Sequence, residues 1–463
     1  MKKKESFKRL IQIMLSGIGL MVQVLIFTYF YFNFYFVKIR EILDYAEKGH
    51  ALMLAVYMTI LVAFSTMYGG TRIGYFRNAE LVFSQIIGTI AADVITYAQI
   101  CLMCRDLIGA KHYILMTFLQ CLVAFAWTIV AYIVYHVLFP PRELILVHGD
   151  RPYGDIVNKL ESRKDKYIVS ATININEGFD KVCEEILSGF EAVVIWDIPA
   201  ATRNDLLKFC YGHDVRVYIM PKISDVILSG AEMLHVFDTP IFLTREYSLK
   251  MEERAIKRGI DLICSIILII LTSPIMLVTA ILIKCYDHGP VIYSQVRLTR
   301  GGKEFKIHKF RSMKVNAESD GVARLAKEHD DRITPIGRFI RKVRIDELPQ
   351  LFNIFMGEMS FIGPRPERPE IAKQYMEEMP EFAFRLKVKA GLAGYAQVYG
   401  KYNTTPYDKL KLDICYIENY SIWLDLKLML LTLKVLFTPD ATEGVGEDQV
   451  TALAGTQTEE RDV

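Results

Sequence analysis

Residues 257–284 read KRGIDLICSIILIILTSPIMLVTAILIK, and the way this stretch meets a membrane decides where everything after it lies. The run 260–283 is long enough and apolar enough to cross a bilayer. As a fifth crossing it would carry all that follows Lys284 to the outside. Three features argue for entry and exit through one leaflet. Ser273 and Pro274 sit at its middle, where proline removes a backbone donor and kinks a helix. Lys257 and Arg258 precede the run and Lys284 follows it, so both flanks carry a cytoplasmic signature. Residues 297–350 hold 14 Lys and Arg against 8 Asp and Glu, a local +6 that resists translocation close to a membrane segment. A helix–break–helix at Ser273-Pro274 satisfies all three, and a single kinked span is the alternative.

Upstream, residues 10–37, 49–71 and 113–139 contain no Asp, Glu, Lys or Arg, and 81–104 contains only Asp93. Each is long enough to span. The first is too long, and lacks the small-residue site, for a cleavable signal peptide. Lys2, Lys3, Lys4, Lys8 and Arg9 place the N-terminus inside, and Arg72 and Arg77 fall on an inner loop. Lys38, Arg40 and Lys111 on the outer loops make the bias modest. Four crossings return the chain to the cytoplasm at Pro140. Asp93 has no basic partner in its segment and reads as structural, although an intramembrane acid is a functional candidate by default. Cys101 and Cys104 lack the second pair a metal would need, and read as packing.

The 463 residues suggest about three folding units. With 52% hydrophobic residues and mean hydropathy +0.23, the chain is neither disordered nor fibrous, and is too apolar for an ordinary soluble protein. A net charge of +2 argues against nucleic acid as a partner. The eight dispersed cysteines suggest soluble parts in a reducing cytosol. Residues 439–463, with 1 basic against 7 acidic side chains, read as a disordered acidic tail.

Between 143 and 249, short apolar strands (144–147, 167–171, 192–196, 215–220) alternate with helices (153–162, 179–187, 200–210). That alternation implies a parallel, doubly wound, Rossmann-like α/β domain. Its first turn, His148-Gly149-Asp150-Arg151-Pro152-Tyr153-Gly154, lacks the glycine fingerprint that admits a pyrophosphate. A scaffolding or regulatory module fits better than a dinucleotide site.

The chemistry lies further on. Residues 305–313 read as a strand, with Lys309 and Arg311 on one face. Arg338, Arg341, Lys342 and Arg344 lead into Asp346-Glu347-Leu348-Pro349-Gln350, and Arg365 and Arg368 follow in Gly363-Pro364-Arg365-Pro366-Glu367-Arg368. Clustered guanidinium and ammonium groups suit phosphate oxygens, whereas any single run could be a solvated charged face. Pro349 and Gly357 bracket a short helix. Adjacent carboxylates repel unless a proton or cation intervenes. A Mg²⁺ ion held by one acid and by substrate phosphates would resolve that conflict and free the other acid to attack phosphorus. Asp-Glu is also a routine helix start.

Residues 257–437 resemble the bacterial sugar transferases, the polyprenyl-phosphate sugar-1-phosphate transferases. The likeness rests on Lys257-Arg258-Gly259-Ile260-Asp261 before the Ser273-Pro274 hairpin, Gly289-Pro290-Val291, Lys309-Phe310-Arg311-Ser312-Met313, and Asp346-Glu347-Leu348-Pro349-Gln350-Leu351. It continues in Gly363-Pro364-Arg365-Pro366, Gly394-Tyr395-Ala396-Gln397-Val398 and Trp423-Leu424-Asp425. With four N-terminal spans and the α/β domain, the layout is similar to the long, membrane-spanning subgroup. Ala393 stands where Thr is expected and Tyr399 where Asn is common, which bears on which nucleotide-sugar fits.

The resemblance implies a multi-domain membrane protein of the bacterial inner membrane: a four-helix transmembrane bundle (1–140), the α/β domain (143–249), and a monotopic α/β catalytic domain (251–438) on the cytoplasmic face with a re-entrant hairpin at 260–283. It implies Asp346 as nucleophile on the β-phosphorus of a UDP-sugar, UMP as leaving group, and polyprenyl (undecaprenyl) phosphate as acceptor. Glu347 would bind Mg²⁺, and Arg341 and Arg365 would hold phosphate oxygens. The product would start an exopolysaccharide, capsule or O-antigen type glycan. The helix at 424–437 lies either at the lipid interface or in the core. The alternatives are a catalytically silent scaffold or sensor of polysaccharide export and a dehydratase using the middle domain, whose nicotinamide fingerprint is absent. Homo-oligomerisation through the spans or the middle domain stays open, with no motif to mark it, and so does the sugar.

Overall fold

A computed structural model describes residues 7–43, 47–244, 249–314, 332–400 and 404–436; the tail expected to be disordered lies outside them. The chain divides into two compact units, Met1–Pro221 and Lys222–Val463. Among the described residues five helices are long and apolar enough to cross a membrane: Lys8–Arg40, Gly49–Met67, Asn78–Cys104, Lys111–Leu138 and Met251–Asp287. This is a membrane protein with a parallel α/β domain.

In the first unit, α1 (Lys8–Phe30) continues through a π-helical turn at Tyr31–Tyr35 into α2 (Phe36–Leu43). Then come α3 (Glu47–Met67), α4 (Asn78–Cys104) and α5 (Lys111–Leu138). Their inward faces share a core of Phe27, Tyr31, Tyr57, Leu61, Ile100 and Met116, with the Phe27 and Tyr57 rings stacked at 3.7 Å. Leu25, Leu102, Phe118 and Val137 point outward, as lipid-facing side chains do. Asp93 is buried in this core, where the Tyr57 hydroxyl (3.0 Å) and the Thr117 hydroxyl (2.6 Å) donate to it. Gln120 Nε2 donates in turn to the Tyr57 oxygen and to the Gln23 carbonyl.

The α/β sheet runs β2-β1-β3-β4, all parallel, from β1 (Arg142–His148), β2 (Tyr167–Asn174), β3 (Ala192–Trp196) and β4 (Arg216–Ile219). Helices α6 (Gly154–Glu161), α7 (Phe179–Leu187) and α8 (Ala200–Gly212) connect them. Leu144 to Val147 of the central β1 are fully buried, as a strand covered on both faces requires.

The second unit opens with α9 (Ile223–Ser229), whose Val226 buries against Tyr375, Phe382, Leu410 and Ile414. That packing draws residues 222–249 to this unit. A hairpin of β5 (Glu232–Val236) and β6 (Thr239–Leu243) leads to α10 (Met251–Asp287). The break expected at Ser273-Pro274 does not interrupt α10, which continues through both residues. Pro274 has no N–H for the Ile270 carbonyl, and the Ser273 hydroxyl donates to that carbonyl instead, at 2.8 Å. Ile263, Ile270, Leu271, Leu277 and Val278 leave one side of the helix apolar and exposed.

Beyond α10, β7 (Ile292–Leu298) and β8 (Glu304–Phe310) form an antiparallel hairpin with Tyr293 opposite Lys309. Next come α11 (Pro335–Lys342), α12 (Gln350–Met356), β9 (Ser360–Ile362), α13 (Pro369–Glu378), β10 (Gly391–Ala393, parallel to β9), α14 (Tyr395–Tyr399), α15 (Pro406–Glu418) and α16 (Ile422–Leu436). Their core gathers Phe305, Ile307, Leu351, Ile354, Phe361 and Leu428. The burial of Leu428 and Asp425 makes one face of α16 part of this core.

Candidate active site

The site is a corner between α11 and α12. Thr334 caps α11 by accepting from Gly337 N at 2.9 Å, with Pro335 in the first turn. Gly337 lies so close to the strand end that a Cβ there would sit 1.9 Å from the Ser312 carbonyl oxygen. Past α11 the chain reverses at Arg344, whose φ of 57° is left-handed. The reversal delivers Asp346 and Glu347 on the 3₁₀ turn Ile345–Glu347, directly ahead of α12. On Glu347 Oε1 converge Lys309 Nζ at 2.9 Å, Arg365 Nη2 at 3.6 Å and Arg344 Nη1 at 3.7 Å. Asp346 is buried, and among the described residues its Oδ1 has no hydrogen-bond partner.

The electrostatics separate the two acids. Burial, reinforced by the Glu347 charge, pushes the Asp346 carboxyl up to about 6, against the pull of Lys309, Arg344 and Arg341. Burial would raise Glu347 too, but Lys309, Arg365 and Arg344 together outweigh it and hold that carboxyl below its ordinary value. At neutral pH the corner therefore offers a neutralised carboxylate beside an ionised one with an open oxygen. Among the described residues no group of three or more His, Cys, Asp or Glu could hold a metal ion. Two adjacent hard-oxygen donors fit Mg²⁺ when substrate phosphates and water complete the shell.

The expected residues divide into those at the corner and those elsewhere. Lys309 and Arg365 reach Glu347, and the Arg341 charge acts on Asp346. Arg338 is exposed on α11, and Arg368 lies half-buried ahead of α13. Arg311 follows the end of β8 and pairs with Asp287 in the last turn of α10, rather than joining Lys309 at Glu347. Ser273 and Pro274 lie within α10, away from the corner in sequence.

Arg344, which the sequence offers only as one of the basic run before Asp346, pairs with Glu347 three residues on. The basic start of α10, which the sequence marks as a membrane flank, also has a packing role that the sequence does not show. Arg258 donates to the carbonyls of Ile354 and Phe355, both at 2.7 Å, and so caps α12. Asp261 accepts from Ser360 Oγ at 3.1 Å and Phe361 N at 3.0 Å, and Lys257 pairs with Asp425.

Apolar spanning helices joined to a carboxylate corner ringed by guanidinium groups define a membrane protein equipped to handle phosphate. The comparisons say which. A family description, bacterial sugar transferase, matches residues 252–439. A UDP-N-acetylgalactosamine-undecaprenyl-phosphate N-acetylgalactosaminephosphotransferase of Aeromonas hydrophila is 45% identical over 245 residues, 52% of this chain and 57% of that one. A UDP-glucose:undecaprenyl-phosphate glucose-1-phosphate transferase of Klebsiella pneumoniae is 39% identical over 248 residues, 52% and 51% of the two chains. One of the same name from Caulobacter vibrioides is 39% identical over 189 residues, 40% of this chain and 70% of that one. The match spans about half the length of the first two relatives. This chain belongs to the bacterial sugar transferase family.

Proposed function

We propose that the protein transfers a sugar-1-phosphate from a UDP-sugar to polyprenyl phosphate through a covalent intermediate on Asp346. The observation that carries this reading is the buried Asp346 oxygen without a partner among the described residues, beside a Glu347 already neutralised by three cations. In the first step an Asp346 carboxylate oxygen attacks the β-phosphorus. The bond from that phosphorus to the bridging oxygen breaks, and UMP leaves with the oxygen and the electron pair. In the second step a phosphate oxygen of the lipid attacks the same phosphorus. The acyl-phosphate bond breaks, Asp346 recovers its carboxylate, and a polyprenyl diphosphate sugar departs. Such transfers depend on positioning and charge neutralisation, which Arg341 and Arg365 would supply. Glu347 would hold Mg²⁺, which would supply further charge neutralisation at the phosphates and leave Asp346 free to attack.

The same reading takes α10 to bend at Pro274, where the helix continues without an N–H for the Ile270 carbonyl, and so to enter and leave the inner leaflet of the bacterial cytoplasmic membrane, with the catalytic unit on the cytoplasmic side. Supporting it, both halves of α10 pack on this one unit. The first half meets it through Arg258, Asp261 and Leu268, and the second through Ile283 against Phe310 and Ile340. A helix of 37 residues is about 55 Å long, so a plain crossing would carry its two ends to opposite sides of a core about 30 Å thick. The relatives' names give two sugars, N-acetylgalactosamine and glucose, and the donor here is one of that UDP-sugar class.

The test is UMP release from a UDP-sugar panel by the full chain in nanodiscs with polyprenyl phosphate, together with isolation of the phosphosugar adduct at Asp346. Turnover without an adduct at that residue defeats the mechanism. Absence of UMP release with every donor favours the silent scaffold.

A further inference from the structure

The loop Gly363-Pro364-Arg365-Pro366-Glu367 brings a cation to Glu347, and its backbone is pinned to an unusual extent. Pro364 O accepts from Gly391 N at 2.9 Å, and Glu367 O accepts from Leu298 N at 3.1 Å. Between them, Arg365 O accepts from Arg385 Nη2 at 2.9 Å and Pro366 O from Arg297 Nη1 at 3.2 Å. Four successive carbonyls are thus each held by a donor, two of them from guanidinium groups. Two prolines in the loop contribute no N–H of their own, so it makes no internal ladder and depends on these outside donors.

Arg385 is the unusual member. It is only 4% exposed, and the same guanidinium that holds Arg365 O lies 3.3 Å from Glu367 Oε1 and 2.8 Å from Asp413 Oδ2, itself 1% exposed. Burying a charged trio is seldom a gain over apolar packing of the same volume. What the trio supplies is direction: one planar fork meets a carbonyl and two carboxylates from fixed angles, which an ammonium cannot do. The Arg365 side chain is 48% exposed and little held by its surroundings, so the position of its main chain sets where its tip can reach.

We infer that Arg385, oriented by Asp413 and Glu367, is a positioning residue that aims Arg365 at Glu347 and thereby at the phosphates of the donor. This rests on the proposed transfer reaction. The test is a double-mutant cycle of Arg385→Lys and Arg365→Ala in the full-length protein in nanodiscs. It is read by kcat/KM for UMP release and by calorimetric affinity for UDP, with thermal unfolding as a control. Arg385→Lys alone should lower kcat/KM by about 10- to 100-fold, the scale of a 1 Å misplacement. On the Arg365→Ala background it should cost less than about twofold, because its target is gone. Asp413→Asn, which keeps the shape, should show the same non-additive pattern and replaces Arg385→Lys if that variant does not fold. Losses that multiply in both cycles, or an Arg385→Lys protein with unchanged kcat/KM, overturn the inference. A wild-type protein that binds UDP without releasing UMP defeats the proposed reaction instead, and the UDP cycle then still decides the coupling.

Discussion

Asp93, among the apolar helices of the first unit, and Asp346, at the corner of the second, are both buried, at 1% and 8% exposure. Hydroxyls from Tyr57 and Thr117 occupy both oxygens of Asp93, and Gln120 extends that network. Cations crowd Glu347 next to Asp346, yet among the described residues no donor reaches one Asp346 oxygen. A buried polar group without a partner costs about 1–3 kcal/mol. On the proposed transfer, the satisfied aspartate is structure and the open one is the nucleophile.

The sharpest way to break this contrast is to remove the open acid. Asp346→Asn should lower UMP release by about 10³-fold or more, the range for loss of a nucleophile, while thermal unfolding stays near wild type. Next is pH. The proposed nucleophile would attack only when ionised, and the Asp346 carboxyl sits at about 6, chiefly through burial. Steady-state kcat/KM should therefore be flat above pH 7 and fall about tenfold per unit well below 6; a flat profile down to pH 5 would contradict the assignment. Glu347→Gln removes the charge that Lys309, Arg344 and Arg365 share, and should cost about 10²-fold in the same assay.

At Asp93 the order of effects reverses. Asp93→Asn should leave UMP release within about twofold. Asp93→Leu strands the Tyr57 and Thr117 hydroxyls and should lower stability by about 1–3 kcal/mol in thermal unfolding. Smallest of all, Ser273→Ala leaves the Ile270 carbonyl unpaired beside Pro274 and should cost about 1 kcal/mol of stability with little change in turnover.

Hydropathy and strand–helix alternation were enough to read the apolar helices and the parallel sheet, because both patterns are local. The acid corner was legible for the same reason: Asp346, Glu347, Pro349 and Gly357 lie within twelve consecutive positions. What escaped is long-range. Arg385 meets Asp413 and the Arg365 carbonyl across 28 and 20 positions, and Arg258 reaches α12 across 96. Arg311 looked like a companion of Lys309 until Asp287, from another element, claimed it. The boundary at Pro221 also depends on a distant partner, since α9 buries against side chains of α13 and α15.

Arg258 and Asp261 fasten the opening turns of α10 to α12 and β9, and α12 begins just past Asp346. On the proposed transfer, these hydrogen bonds fix how far Asp346 stands from the apolar stretch of α10, a built-in ruler against which each arriving lipid head would be measured.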